Sequence, residues 1–149
     1  MSSPSPIAGV FTAMDVAASG LTAERGRMNV IASNLANART TSGPDGQVYR
    51  RLDPVFTTKA VNPRAFDPVL RQVQEVRVAR IQEDQNPGRL VYDPSHPDAN
   101  GDGYVEYPNV NVVTEMVNLM TATRAYEAGV TSIDTIKQMA RSAIDIGRA

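Results

Sequence analysis

Residues 111–146 read NVVTEMVNLMTATRAYEAGVTSIDTIKQMARSAIDI, and their spacing decides the fold. Val112, Met116, Leu119, Thr123, Tyr126, Val130, Ile133, Lys137, Ala140 and Ile144 step alternately by four and by three. Residues at those intervals share one face of a helix. Only Thr123 and Lys137 interrupt its apolar character. A second stripe, Ala122, Gly129, Ile136 and Ala143, runs beside the first, and no proline breaks the run. Upstream, Pro108 and an asparagine at 109 or 111 offer a start, because an asparagine oxygen accepts from the free N–H groups of a first turn. Gly147 stands where a C-terminal cap is expected. A helix over 111–146 is about 54 Å long at ~1.5 Å per residue.

The beginning of the chain mirrors the end. Ile7, Met14, Leu21, Met28 and Leu35 recur every seven positions, with Val10, Phe11, Ala17, Ala18, Ile31 and Ala32 between them. A strict seven-residue repeat predicts packing against another helix at a shallow angle. Gly9, Gly20 and Gly26 each cost about 1 kcal/mol relative to alanine inside a helix. This helix, from about 6 to 36, is weak alone and needs partners. It spans roughly 46 Å, whereas a globule of this size has a radius of gyration of only roughly 15 Å.

Between the helices the pattern changes. Thr40–Gly46 is a run of turn residues. Val48–Thr58 reads as extended, with Pro54 marking an edge or broken strand. Val73–Gln82 alternates, with Val76 and Val78 on one face and Val73, Ala79 and Ile81 on the other. Arg89–Tyr92 is a short candidate strand, and residues 93–103 are loop. The fold class expected is mainly α with a small β-rich insert, the terminal helices paired as a coiled coil in an elongated subunit. Residues 1–40 with 109–149 form the helical domain, and 41–108 form the insert.

Composition removes several function classes. The net charge is −1, with lysine and arginine scattered, which gives no electrostatic footprint for nucleic acid or an anionic membrane. There is no cysteine, so disulfides, thiolate metal sites and a cysteine nucleophile are out. The start, MSSPSP, lacks the basic region of a secretory signal, and none is expected. No run approaches the ~20 apolar residues of a membrane span.

Candidate chemistry is sparse. Asp98-Ala-Asn-Gly-Asp-Gly103 matches the opening of a calcium loop, but the twelfth position is Asn109 rather than a bidentate Glu. Pro94 and Pro97 exclude an entering helix, so the segment reads as a tight turn. His96, the one histidine, sits between Ser95 and Pro97 in that loop, without partners for a metal site or a triad. No glycine-rich phosphate loop is present. Met14, Met28, Met116, Met120 and Met139 lie on or beside the stripes and read as packing residues. No catalytic residue, cofactor or metal site is expected. Asn29, Asn34 and Asn37 are different, because asparagine is a poor helix former and three lie close together. Either they end the helix, or their amides bond to neighbouring helices in an assembly.

Ser33-Asn-Leu-Ala-Asn37, closing an amphipathic N-terminal helix, resembles the signature of the flagellar axial proteins, the rod, hook and hook-associated subunits. The resemblance to the C-type proximal rod family is closer. It is carried by Glu24–Asn37, Tyr49-Arg-Arg51, Tyr92–Asp98, Gly103–Asn111 and Glu115–Ala128, about two-thirds of the chain in order. Arg39 departs from the small polar residue expected there, and residues 60–72 carry nothing recognised.

The resemblance implies a structural subunit exported unfolded by the flagellar type III apparatus, without a cleaved signal peptide. Such subunits assemble above the membrane ring into a rod that transmits torque and conducts export substrates. Implied partners are the B-type and F-type proximal subunits, the distal rod, the rod-base adaptor and the membrane ring, with neither nucleic acid nor a small-molecule substrate. The expected assembly surface on the first helix is Ile7, Phe11, Met14, Leu21, Met28, Asn29, Ile31, Asn34, Leu35 and Asn37. On the last helix it is Val112, Met116, Leu119, Met120, Tyr126, Val130, Ile133, Ile136 and Ile144. The alternatives are a sister axial subunit of the B type, or a soluble coiled-coil adaptor or chaperone. An isolated subunit of the expected kind has low helicity, since its stripes lack partners.

Overall fold

The computed structural model describes residues 6–43, 45–61 and 72–148, with the side chains of 6–8 and 148 excepted. Helix α1 spans Pro6–Ala36 and helix α2 spans Val112–Arg148. Both helices expected from the periodicity are therefore present. Asn111 supplies the start of α2: its Oδ1 accepts the Thr114 N–H at 3.1 Å, and its carbonyl accepts the Glu115 N–H at 2.9 Å. The other candidate, Asn109, is occupied elsewhere, accepting the Arg51 N–H at 3.2 Å. Gly147 does not cap the helix. It lies inside α2, which continues to Arg148. α1 closes with Asn37, whose Nδ2 donates to the Ser33 carbonyl at 2.9 Å and whose Oδ1 accepts from Thr40 Oγ1 at 3.2 Å.

Four strands lie between the helices. β1 (Leu52–Ala60) pairs with β2 (Gln74–Glu83). β3 (Arg89–Tyr92) pairs antiparallel with β4 (Tyr104–Tyr107), Arg89 opposite Tyr107 and Tyr92 opposite Tyr104. β4 was not among the expected strands. Its four residues are too short to show a period, and its pairing with β3 is what makes it a strand.

Pro54 sits within β1 without breaking it. The Arg51 carbonyl accepts the Asp84 N–H at 2.7 Å, and the Val61 N–H donates to the Val73 carbonyl at 3.0 Å. Main-chain groups alternate sides along a strand, so the odd positions of β1 face β2 and Pro54 falls on the outer edge. Its missing N–H costs no ladder bond there. Those two bonds frame nine residues on β1 against ten on β2, so β2 accommodates one extra residue as a bulge.

The chain divides into two compact units. Unit 1 comprises Met1–Gly26, Phe56–Ala79 and Ala122–Ala149; unit 2 comprises Arg27–Val55 and Arg80–Thr121. Each unit holds part of each helix. In unit 1, α1 and α2 meet closely: a Cβ on Gly129 would lie 2.7 Å from Leu21 Cδ2. Ser19 Oγ joins α1 to the sheet, accepting the Val76 N–H at 3.1 Å while donating to the Val16 carbonyl at 2.7 Å. Among the described residues, the buried apolar side chains of unit 1 are Ala23 and Ala122. Those of unit 2 include Val30, Ile31 and Val105, with Asn34 and Glu115 buried beside them.

The seven-residue spacing recurs in the burial of both helices, and its phase is corrected on α2. On α1 the deepest positions are Ala23, Val30, Ile31 and Asn34, while Met14, Leu21, Met28 and Leu35 stay half-buried. On α2 the covered positions are 115, 118, 119, 122, 126, 129, 133, 136 and 140. This run takes Leu119, Tyr126, Ile133 and Ala140 from the first stripe and Ala122, Gly129 and Ile136 from the second. Val112, Met116, Val130 and Ile144 are left exposed. Both faces of α2 are apolar, and periodicity alone does not rank them.

Candidate assembly surface

A buried polar cluster holds unit 2. Asn34 is 0% exposed and uses its whole side-chain amide inside the chain. Oδ1 accepts from Tyr49 Oη and from the Leu52 N–H, both at 2.9 Å. Nδ2 donates to the Leu52 carbonyl at 2.9 Å and to Glu115 Oε2 at 3.2 Å. The partners fix the amide orientation, because a main-chain N–H can only donate and a carboxylate only accept. Asn34 thus grips both main-chain groups of Leu52 on the outer edge of β1, where another strand would otherwise bind. Tyr49 spends its proton on Asn34, so at the 3.3 Å contact between Ser33 Oγ and Tyr49 Oη the serine donates.

Glu115 closes the cluster. It is 1% exposed, and its Oε1 accepts from Arg51 Nε at 2.9 Å. It lies at the start of α2, where the helix dipole favours a carboxylate. Arg51 also bonds Asp53 through a second guanidinium nitrogen. Burial works against the Arg51 charge, but hydrogen bonds and charge from Glu115 and Asp53 outweigh it and raise its pKa. A buried carboxylate is tolerable because every oxygen has a partner.

This corrects the expectation for Asn34. It neither frays the helix nor waits for a neighbouring subunit, since all its bonding capacity is used within the chain. Ile31 is likewise buried. Asn37 ends the helix, and Asn29 is exposed. Phe11, Val112, Met116, Met120, Val130 and Ile144 are exposed, while Leu119, Tyr126, Ile133 and Ile136 are half-covered. Ile7 lies outside the described side chains. Sequence reasoning missed Arg51 and Glu115 as a pair. A glutamate opening a helix looks ordinary, and its amide partner is 81 positions away.

The calcium-like segment is the connection between β3 and β4. Asn100 Oδ1 accepts the N–H groups of Asp102 at 3.0 Å and Tyr104 at 2.9 Å, and Gly103 takes φ +79°. The oxygen a cation would need is committed to the turn. Asp98 Oδ2 accepts from Thr41 Oγ1 at 2.7 Å. His96 Nδ1 accepts the Asp98 N–H at 3.1 Å, which places its ring proton on Nε2. No group of three or more metal-ligating side chains occurs among the described residues, and no described helix is long and apolar enough to cross a membrane.

The exposed surface also carries large apolar side chains. In unit 2, Val113 is 71% exposed and Val117 and Met120 are exposed on the same helix; in unit 1, Ile146 is 79% exposed and Met139 is exposed. Such faces in number mark surfaces that other proteins cover.

Known proteins agree with that picture. Residues 14–44 match the family described as flagella basal body rod protein, and residues 102–146 match flagellar basal body rod FlgEFG protein C-terminal. The flagellar basal-body rod protein FlgC of Borreliella burgdorferi is 47% identical over 148 residues, 93% of this chain and 97% of that one. FlgC of Escherichia coli O6:H1 is 46% identical over 134 residues, covering 90% and 95%. FlgC of Bacillus subtilis is 41% identical over 150 residues, covering 93% and 98%. At such identity over nearly the full length, the chain belongs to the FlgC family of flagellar basal-body rod proteins.

Proposed function

We propose that the chain is a structural subunit of the flagellar proximal rod, packed by its terminal helices into a helical tube. The observation that carries this reading is the core of unit 1. Its buried apolar side chains, among the described residues, are two alanines, while Phe11, Phe56, Val130, Met139, Ile144 and Ile146 are exposed. Half-buried side chains such as Leu21, Tyr126, Ile133 and Ile136 add to that core, and covering the exposed apolar side chains is worth about 25 cal/mol per Å² more. Neighbouring subunits supply that cover.

On this reading α1 and α2 pair as a coiled coil, with Leu21 against Gly129 in unit 1 and Asn34 against Glu115 in unit 2 as its contacts. The seam they close leaves the outer stripe of α2 for other rod subunits. Residues 41–108 lie outside the helical layer and contact adjacent subunits. The chain spans the periplasm as part of the rod, transmits torque, and lines the path of later export substrates. It reaches that place through the type III apparatus without cleavage. Its neighbours are the B-type and F-type proximal subunits, the distal rod, the rod-base adaptor and the membrane ring. Its role is structural rather than catalytic.

The test is fractionation. Antibody to the chain should detect it in detergent-washed flagellar basal bodies, and its deletion should abolish rods. Recovery only as a stable soluble dimer would favour the adaptor reading. The purified monomer should show low helicity by circular dichroism, rising on assembly.

A further inference from the structure

Unit 2 carries an apolar ridge. At the start of α2, Val112, Val113, Met116, Val117 and Met120 are all exposed, Met120 by 58%. Positions 113, 116, 117 and 120 are three or four apart and share a face. Scattered exposed apolar residues are ordinary, whereas five side by side form a binding patch. The ridge is fringed by positive charge. Arg39 and Arg89 line a groove together with Val112 and Val113. The nearby carboxylate on the same helix, Glu115, is buried and bonded to Arg51, so it does not offset them.

Unit 1 carries a complementary shape. A groove of about 500 Å³ is lined by Ala17, Gly20, Leu21, Phe56, Ala125 and Gly129, with Glu24 at its side. An adjoining groove shares Ala23 and Val76 with it and adds Asp15 and Glu75. Arg77, the one cation lining either groove among the described residues, is held by Glu75 at 2.6 Å. Glu75 is thereby neutralised, and Asp15 leaves an acidic edge where the surroundings of the ridge are basic. Small side chains form the channel, and large ones form the ridge.

We propose that the ridge of one copy seats in the groove of a second copy, with Arg39 and Arg89 facing the edge that carries Asp15. This deepens the rod reading and rests on it. Ridge and groove are different surfaces, so the contact is heterologous. Repeated from copy to copy, it builds an open helix rather than a closed dimer.

The absence of cysteine gives a clean background for the test. Val117→Cys lies on the ridge and Ser132→Cys in the groove. Basal bodies are isolated from cells making both single variants and treated with a short bis-maleimide. Cross-linked dimers of the chain are expected only when both variants are present, and a ladder is expected from the double variant. Dimers from Val117→Cys alone, an adduct of different mass, or no cross-link in basal bodies that hold both variants would each overturn the docking and leave the rod reading intact. Absence of the chain from basal bodies would overturn both. Arg89→Glu should lower the cross-link yield about fivefold, the weight of one good exposed ion pair. Adding Asp15→Arg should restore it, and failure to restore it would refute the charge pairing.

Discussion

The two units solve the problem of holding α1 to α2 in opposite ways. In unit 2 the contact is polar and enclosed: Asn34 and Glu115 bond each other, and Tyr49, Arg51 and Leu52 saturate what remains. In unit 1 the contact is a close approach of Leu21 to a glycine, with alanines as the buried set among the described residues. A saturated polar cluster works in one geometry only, because any slip leaves a buried donor or acceptor without a partner. A seam of small residues tolerates sliding and gains strength only when more surface is covered. The difference teaches a division of labour: unit 2 fixes register within the chain, and unit 1 is stabilised from outside it.

The sharpest way to break that comparison is to unbalance the cluster. Arg51→Met leaves the Glu115 carboxylate buried without its cation, which should cost about 3–5 kcal/mol. Four of the five tyrosines, at 49, 92, 104 and 107, lie in unit 2, and tryptophan is absent, so tyrosine fluorescence reports that unit. The urea midpoint of this signal in the purified chain should fall sharply or vanish. An unchanged midpoint would mean that the cluster does not hold unit 2.

A smaller effect is expected in unit 1. Gly129→Val forces methyl groups into Leu21, an overpacking of about 1–3 kcal/mol. The tyrosine midpoint should stay in place, since unit 2 is untouched. Competition between this variant and the natural chain for places in basal bodies should instead fall about tenfold, the equivalent of ~1.4 kcal/mol. Leu21→Ala in the same chain should recover most of it. Equal competition without the second change would remove the close approach from the assembled state.

This contrast explains what the sequence could and could not reveal. The helices were legible because a period repeated over 31 and 37 residues is hard to produce otherwise. Pro54 was legible as an edge residue because proline lacks the ladder donor. The phase of α2 was not, since Met116 and Val130 are as apolar as Leu119 and Ile133, and burial follows from what packs against them. The cluster was less legible still. Arg51 and Glu115 look like solvated charges, and Asn34 like a helix terminator, until a fold brings together groups that lie tens of positions apart.

The same unit supplies a control that separates polar bonding from burial. Asp93, opening the loop after β3, accepts from Ser95 Oγ at 2.7 Å and from the Ser95 N–H at 3.2 Å. Those bonds, the side-chain one first, hold its carboxyl below the ordinary 3.8. A depressed pKa gives stability that is present above the unfolded value and lost as pH falls through the folded one. The Ser95 amide resonance should therefore shift as acid is added below the ordinary value, and Asp93→Asn should remove that step. Because the site is open to solvent, the shift should remain local, with the tyrosine midpoint unmoved by Asp93→Asn at neutral pH. A midpoint that fell with Asp93→Asn as far as with Arg51→Met would show that polar bonds matter equally in and out of water, and the contrast between the units would lose its physical basis.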